Sequence, residues 1–378
     1  MPVTLTEDQA DLAAAIGEFC RREVPDKARR DELTVEGPHS TEIYRKMAAL
    51  GWLGISLPEE YDGAGQGMTE LLVFLEETSY HQAPIGGFAT TIITAAAIEK
   101  FGSDAQKREL LGGVVRGDVL SISMSEPEAG SDVGGLSCRA RKTEDGWVVD
   151  GQKTWCSNAH IATHILLVAR TSTEGGKHEG LTMFVVPTDV DGLQIRGIET
   201  MGGKEVNDLY FTDCHLPADA VVGVEGQGWR QLMAGLNLER MILAALMLGL
   251  GRRAFDDTVD YVKQRRQFGR PVGNFQALRH RIADNATELA ATKLLVHDTA
   301  RTIDAQPGAL FPREASMAKL KATELAKHLS LEGMQMLGGY GYATEYGMER
   351  LLRQSVVSTV YGGTSEIQRD IIGKTYGL

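Results

Sequence analysis

The sequence predicts an α+β multidomain protein built in the order helical, β, helical, and three observations carry that expectation. Apolar residues recur at spacings of three and four through residues 1–120. They alternate along short runs through 121–228, then return to helical spacing in long stretches through 229–378. At 378 residues the chain is long enough for two or three domains, and these three segments are the domains expected.

In the first segment Thr6 and Gln9 form a capping box ahead of Leu12, Ile16, Phe19 and Val24 on one face, and Ser103 caps a helix through SDAQKRELL. In the second, the β-rich runs WVVDG, HILLVAR, LTMFVVP and LYFTD are separated by Gly, Asp and Pro. In the third, helical periodicity is strongest over 229–252, 276–304 and 314–337 and is broken by glycine-rich stretches. No repeat, low-complexity tract or long linker separates the parts.

Composition excludes several classes of function. Hydrophobic residues make up 43% and charged residues 24%, an ordinary globular mix. The formal charge of −12 repels a phosphate backbone, so no nucleic-acid partner is expected. Cys20, Cys138, Cys156 and Cys214 are too scattered for a CxxC site and read as reduced thiols. The nine histidines show no ligand spacing, so no metal is assigned. The start, MPVTLTEDQADL, has acidic residues where a targeting peptide needs basic and apolar ones. The apolar run 241–251 is short of the ~20 residues of a membrane span, so a cytoplasmic protein without membrane association is expected. The motifs GxxxxGK[ST], HExxH and GxSxG are missing, and no GxGxxG follows a strand, which removes local support for nucleotide-loop, zincin and serine-hydrolase chemistry.

Two features point to a site. Leu232, Leu236, Glu239, Leu243, Leu246 and Leu250 share one helical stripe, which places a carboxylate among leucines. Burying it unpaired costs several kcal/mol, so it must pair with an arginine from another helix, take up a proton, or face a cavity. Desolvation would raise its pKa toward general-base duty. The second feature is glycine density in SEPEAGSDVGG (125–135), QMLGGYGYATEYG (335–347) and VYGGTSEIQR (360–369), where backbone N–H groups can approach a phosphate or ring edge.

These segments give the chain a resemblance to the acyl-CoA dehydrogenase family along nearly its whole length. SMSEPEAGSDVGG and QMLGGYGYATEYG resemble the family's two signatures, and LGISLPEEYDGAG, KTWCSNA, QRRQFGRPVGNFQALRH and VYGGTSEIQR occur in its order. The resemblance implies an N-terminal helical domain, a middle β-barrel, a C-terminal four-helix bundle, bound FAD and a homotetramer. Met124, Ser125, Gly130 and Ser131 would line the flavin and its phosphates. Trp155 would lie against the ring system and Ser157 near its N5. Arg265, Phe268 and Gln276 would reach the FAD of a partner subunit, Gln335, Gly338 and Gly339 its adenosine end, and Thr364 and Glu366 complete the set. Ser131, Asn237, Arg240 and Gly363 are the substrate-binding candidates.

The commonest family pattern places its catalytic glutamate directly after the tyrosine of the terminal motif, where this chain has Gly362. A minority, similar to isovaleryl-CoA and long-chain acyl-CoA dehydrogenases, carries the base in an LER-like helical stretch, matched here by Leu238, Glu239 and Arg240. The mechanism so implied has Glu239 take the α-proton while the β-hydrogen leaves as hydride to the flavin, with the Gly362 N–H polarising the thioester carbonyl. Arg240 would position Glu239 or the thioester. Gln354, Ser123 and Cys156 depart from residues common in the family at those positions.

The reading adopted is an FAD-dependent acyl-CoA dehydrogenase acting on a branched or medium-to-long acyl thioester and passing electrons to an electron-transfer flavoprotein. A flavin monooxygenase or oxidase on the same fold, a dehydrogenase of carrier-protein thioesters, and a non-catalytic partner subunit remain open.

Overall fold

The structure, a computed structural model, describes residues 3–378. Six helices come first: α1 (Glu7–Glu23), α2 (Lys27–Leu33), α3 (Thr41–Ala49), α4 (Met68–Tyr80), α5 (Phe88–Phe101) and α6 (Asp104–Arg116). Both expected capping boxes form. Thr6 accepts from the Gln9 N–H at the start of α1, and Ser103 accepts from the Gln106 N–H at the start of α6, with each glutamine reaching back to the cap amide.

Eight strands follow: β1 (Leu120–Ser123), β2 (Arg139–Lys142), β3 (Gly146–Ser157), β4 (His164–Arg170), β5 (Leu181–Pro187), β6 (Leu193–Thr200), β7 (Gly203–Pro217) and β8 (Val221–Val222). They form one sheet in the order β6-β7-β3-β2-β4-β5-β8, with β1 paired in parallel to β4. Period-two alternation turns Cys138, Trp147, Cys156, Leu167, Phe184, Phe211 and Cys214 into one core, where Trp147 meets Phe184 edge-on at 5.2 Å. All four cysteines are free and buried.

The C-terminal part comprises α7 (Gly228–Gln264), the hairpin β9 (Arg266–Gln267) and β10 (Arg270–Pro271), α8 (Gln276–Ala305), α9 (Pro312–Leu337), the single turn α10 (Gly339–Tyr342), α11 (Met348–Val357) and α12 (Ser365–Lys374). Helix α7 runs far beyond the apolar stretch 241–251. By length and composition it is a helix long and apolar enough to cross a bilayer, with 59% of its most apolar window buried inside the chain.

The chain divides into two compact units. One holds the chain up to Glu32, Gly67–Ala83 and Asn237–Leu378; the other holds Leu33–Gln66 and Pro84–Leu236. In the first, α9 packs against α8, α11 and α12, and α4 packs against α1 and α8. Asp304 of α8 accepts from the Met68 and Thr69 N–H groups, so a carboxylate from another helix caps α4. Buried Glu76 of α4 accepts from Lys293 (2.9 Å) and His297 (2.8 Å) of α8 and from Arg252 of α7. Burial alone would raise the Glu76 pKa, but His297, Lys293 and Arg252 outweigh it and hold the carboxyl down to about 2. In the second unit, α5 packs against β1 and α6.

Candidate active site

Helix α7 carries Glu239 in its apolar stripe, with Leu243 one turn on. The side chain is half-buried. Its carboxylate has no hydrogen-bond or ion-pair partner among the described residues. The ion pair with an arginine of another helix, open from sequence, is therefore not formed among the described residues, and the adjacent Arg240 guanidinium donates to Asn237 Oδ1 at 2.9 Å. Burial raises the Glu239 pKa above its ordinary 4.5, opposed by the charges of Arg240 and Lys319.

Opposite it lies the turn between α11 and α12. Gly362 has φ +59°, and a Cβ built on it would stand 3.4 Å from Glu239 Oε1 and 2.2 Å from Leu243 Cδ1. The turn thus approaches α7 as closely as only glycine allows, and Glu239 reaches the space beside a position that bears no side chain. Gly363 (φ +77°) follows, then Thr364, which caps α12 by accepting from the Ile367 N–H. The Gly362 N–H donates to no acceptor among the described residues, whereas its C=O and that of Gly363 each accept from Gln368 Nε2 at 3.1 Å.

Below the turn, fully buried Lys319 of α9 donates to the carbonyls of Ser358, Tyr361 and Gly363, each at 2.9 Å. Burial lowers its pKa to about 8, opposed by the nearby Glu239. The sequence reading missed this lysine. A usable signal was present, since Lys319 interrupts the small-residue stripe Ala315, Ala318, Ala322 and Ala326 of α9.

In the same unit Arg265 lies over the Tyr340 ring at 5.4 Å, next to the turn where Gly338 (φ +62°) ends α9 and Gly339 opens α10. Gln335 is exposed in the last turn of α9, and Gln276 is exposed at the start of α8. Phe268, between β9 and β10, is 91% exposed with φ +51°, a strained backbone for an aromatic residue. Glu366 is exposed in the first turn of α12.

The other unit holds the remaining candidates. Met124 and Ser125 follow β1, and Lys153 of β3 anchors this segment. Its ammonium donates to the Met124 carbonyl at 2.9 Å and to Glu126 at 2.8 Å. Glu126 also accepts from Ser137 and from the Cys138 N–H, and the Thr154 N–H donates to the Ser125 carbonyl. Burial would raise the Glu126 pKa, but Lys153 and these N–H donors hold it low. A register shift between Lys153 and Cys156 puts Trp155 at φ +58° and leaves it 59% exposed, while Ser157 ends β3 with its carbonyl held by Ser121 Oγ. Gly130 and Ser131 are exposed in the glycine-rich loop.

Comparison with known proteins decides the family. Models of the acyl-CoA dehydrogenase N-terminal, middle and C-terminal domains match residues 6–118, 121–214 and 226–377 in turn. The chain belongs to the acyl-CoA dehydrogenase family. It is similar to the mitochondrial isovaleryl-CoA dehydrogenase of Arabidopsis thaliana, at 33% identity over 97% of this chain and 91% of that protein. Among solved structures it resembles an acyl-CoA dehydrogenase from Geobacillus kaustophilus, with a TM-score of 0.94 and 32% identity over the whole of both chains. It also resembles the FAD complex of PigA, with a TM-score of 0.92 and 25% identity over the whole of both.

Acyl-CoA dehydrogenases are FAD-dependent oxidoreductases, and the residues present fit that cofactor. A Cβ built on Gly130, Gly338 or Gly339 meets nothing within 4 Å, so the backbone there is open to close approach. Trp155 and Phe268 offer exposed aromatic faces held by strained backbone, and Arg265 carries a cation suited to a pyrophosphate.

Proposed function

We propose that this acyl-CoA dehydrogenase converts a branched or medium-to-long acyl-CoA thioester into its trans-2-enoyl thioester, with Glu239 as the base. One observation carries the reading. Glu239 Oε1 lies 3.4 Å from where a Cβ of residue 362 would begin, so a carboxylate from α7 stands beside the turn position that lacks one. That carboxylate is unpartnered, and its raised pKa makes it a stronger proton acceptor than a solvated glutamate.

The proton and electrons balance between the substrate, Glu239 and the flavin. The α-proton goes to the Glu239 carboxylate, the α-carbon electron pair forms the new C=C bond, and the β-hydrogen leaves with its own electron pair. FAD supplies the acceptor for that hydride. The unused Gly362 N–H donates to the thioester oxygen as negative charge develops there, lowering the α-proton barrier. Arg240, oriented by Asn237, supplies a fixed cation next to the base. Met124, Ser125, Gly130, Ser131, Trp155 and Ser157 hold the flavin in one unit. Arg265, Phe268, Gln276, Gln335, Gly338, Gly339, Thr364 and Glu366 in the other act in a homotetramer. An electron-transfer flavoprotein reoxidises the enzyme in the cytoplasm.

The test is an anaerobic titration of the FAD-loaded protein with straight and branched acyl-CoAs, following flavin absorbance, with Glu239→Gln alongside. Bleaching by an acyl-CoA that the Glu239→Gln protein binds without bleaching is the expected result. Bleaching that survives Glu239→Gln refutes the base, and flavin that no acyl-CoA bleaches refutes the dehydrogenase reading.

A further inference from the structure

Lys319 is a buried charge next to the site that the proton transfer does not use. An ammonium group has three donors and no acceptor, and here all three are spent on backbone carbonyls of one turn, Ser358, Tyr361 and Gly363, each at 2.9 Å. No carboxylate is bonded to it among the described residues, although burying a cation costs several kcal/mol and an apolar side chain could fill the same volume. The carbonyls it holds flank position 362 on both sides. Gln368 takes up the Gly362 C=O. The Gly362 N–H is left without an acceptor among the described residues.

Most other hydrogen bonds of this segment hold its start against the last turn of α11, among them Ser358 N–H to Ser355 and Val360 N–H to Val357. The Tyr361 N–H donates to Val357 and the Ser365 N–H to Thr359, while both glycines occupy the left-handed region, where a short loop has many alternatives. Without the ammonium the Ser358 and Tyr361 carbonyls would lose this donor and the Gly363 carbonyl would keep only Gln368, and the repulsion among the three would reorient the peptide units that aim the Gly362 N–H. The same cation also acts through space on Glu239, opposing the effect of burial on that carboxylate.

We propose that Lys319 is a positioning residue for the reaction: it clamps the 358–363 turn so that the Gly362 N–H and the Glu239 carboxylate address one thioester together. The proposal rests on the dehydrogenase reading above. It predicts a loss in the chemical step rather than in binding, because Lys319 is buried beneath the turn and has no surface for substrate. A misplacement on the order of 1 Å in such an arrangement costs about 100-fold in rate.

The experiment compares the FAD-loaded wild type with Lys319→Met and Lys319→Gln, whose amide can still serve two of the three carbonyls. Three quantities are read: kcat and KM for an acyl-CoA that reduces the wild type, melting temperature, and the long-wavelength absorbance formed with oxidised flavin by a non-reducing acyl-CoA analogue of acidified α-carbon. Lys319→Met is expected to keep KM within about threefold, lose about 100-fold in kcat and fail to develop the band. Lys319→Gln should fall between the two. If Lys319→Met does not fold, the same kcat loss at constant KM and the weakened band in Lys319→Gln decide the matter. Unchanged kcat and band in whichever variant folds, or losses confined to KM, overturn the proposal while the dehydrogenase reading stands. A wild type that no acyl-CoA reduces overturns both.

Discussion

The close approach of Gly362 to α7 makes Gly362→Ala the most quantitative test of this site. An alanine at φ +59° occupies the left-handed region, at a cost of about 1–2 kcal/mol. Its Cβ would also stand 2.2 Å from Leu243 Cδ1, where ordinary carbon contacts lie near ~3.5–4.0 Å, so Leu243 must move within a packed helix face. Overpacking of this kind costs about 1–3 kcal/mol. Together the two effects give about 2–5 kcal/mol, a fall of roughly 4–10 °C in melting temperature at ~2 °C per kcal/mol. The Glu239 oxygen, at 3.4 Å, is at ordinary contact and does not have to shift. The two contributions separate in a double-mutant cycle by thermal and denaturant unfolding. In a Leu243→Ala background the packing part disappears, and Gly362→Ala should then cost only the backbone part, about 1–2 kcal/mol. An equal cost in both backgrounds, or none in either, would show that the turn does not press on α7 and would remove the steric reason for glycine at this position.

Other outcomes follow from the buried charges. Because the native pKa of Glu239 lies above its unfolded value of 4.5, the wild type loses stability as pH rises from 4.5 through the native value, and Glu239→Gln escapes that loss. The variant should melt higher than the wild type at neutral pH, with the gap closing below pH 4.5, while the acidic limb of the wild-type kcat/KM profile lies above the ordinary glutamate range. Glu76 has the opposite sign. Its native pKa near 2 against 4.5 stabilises the fold by roughly 3 kcal/mol above pH 4.5, which is lost as pH falls from 4.5 to 2. Acid unfolding of Glu76→Gln should therefore show a shallower pH dependence over that window. Lys153→Met leaves Glu126 buried without its cation and should destabilise the protein by about 3–5 kcal/mol. Weaker retention of FAD, measured by flavin release on dilution, is expected with it, and unchanged melting and flavin retention would refute the anchoring role.

Much of the fold was legible because it is written locally. The capping residues Thr6 and Ser103, the switch from spacing three-and-four to alternation, and the return to helical stripes are properties of neighbouring residues, which the backbone geometry reads directly. The length of α7 was less legible, since Arg252, Arg253 and the following charged residues continue the helix beyond the apolar run by which a membrane span is judged. At the site, the sequence showed a carboxylate out of place at Glu239 and one missing at Gly362, and the family resemblance joined the two as a base moved from one position to the other.

Only the tertiary structure decided how near the two positions stand in space. The distance between Glu239 Oε1 and position 362 is set by how α7 lies against the α11–α12 turn, and packing likewise decides that, among the described residues, no arginine of another helix reaches Glu239. The partners of Lys319 are backbone carbonyls, and Trp155 is turned outward by a register shift. Both are main-chain features that every residue type shares, so neither leaves a mark in side-chain identity. The sequence determined which residues were available for the chemistry. Packing determined which of them face one another, because contacts between segments distant along the chain follow from volume and hydrogen-bond geometry rather than from any local pattern.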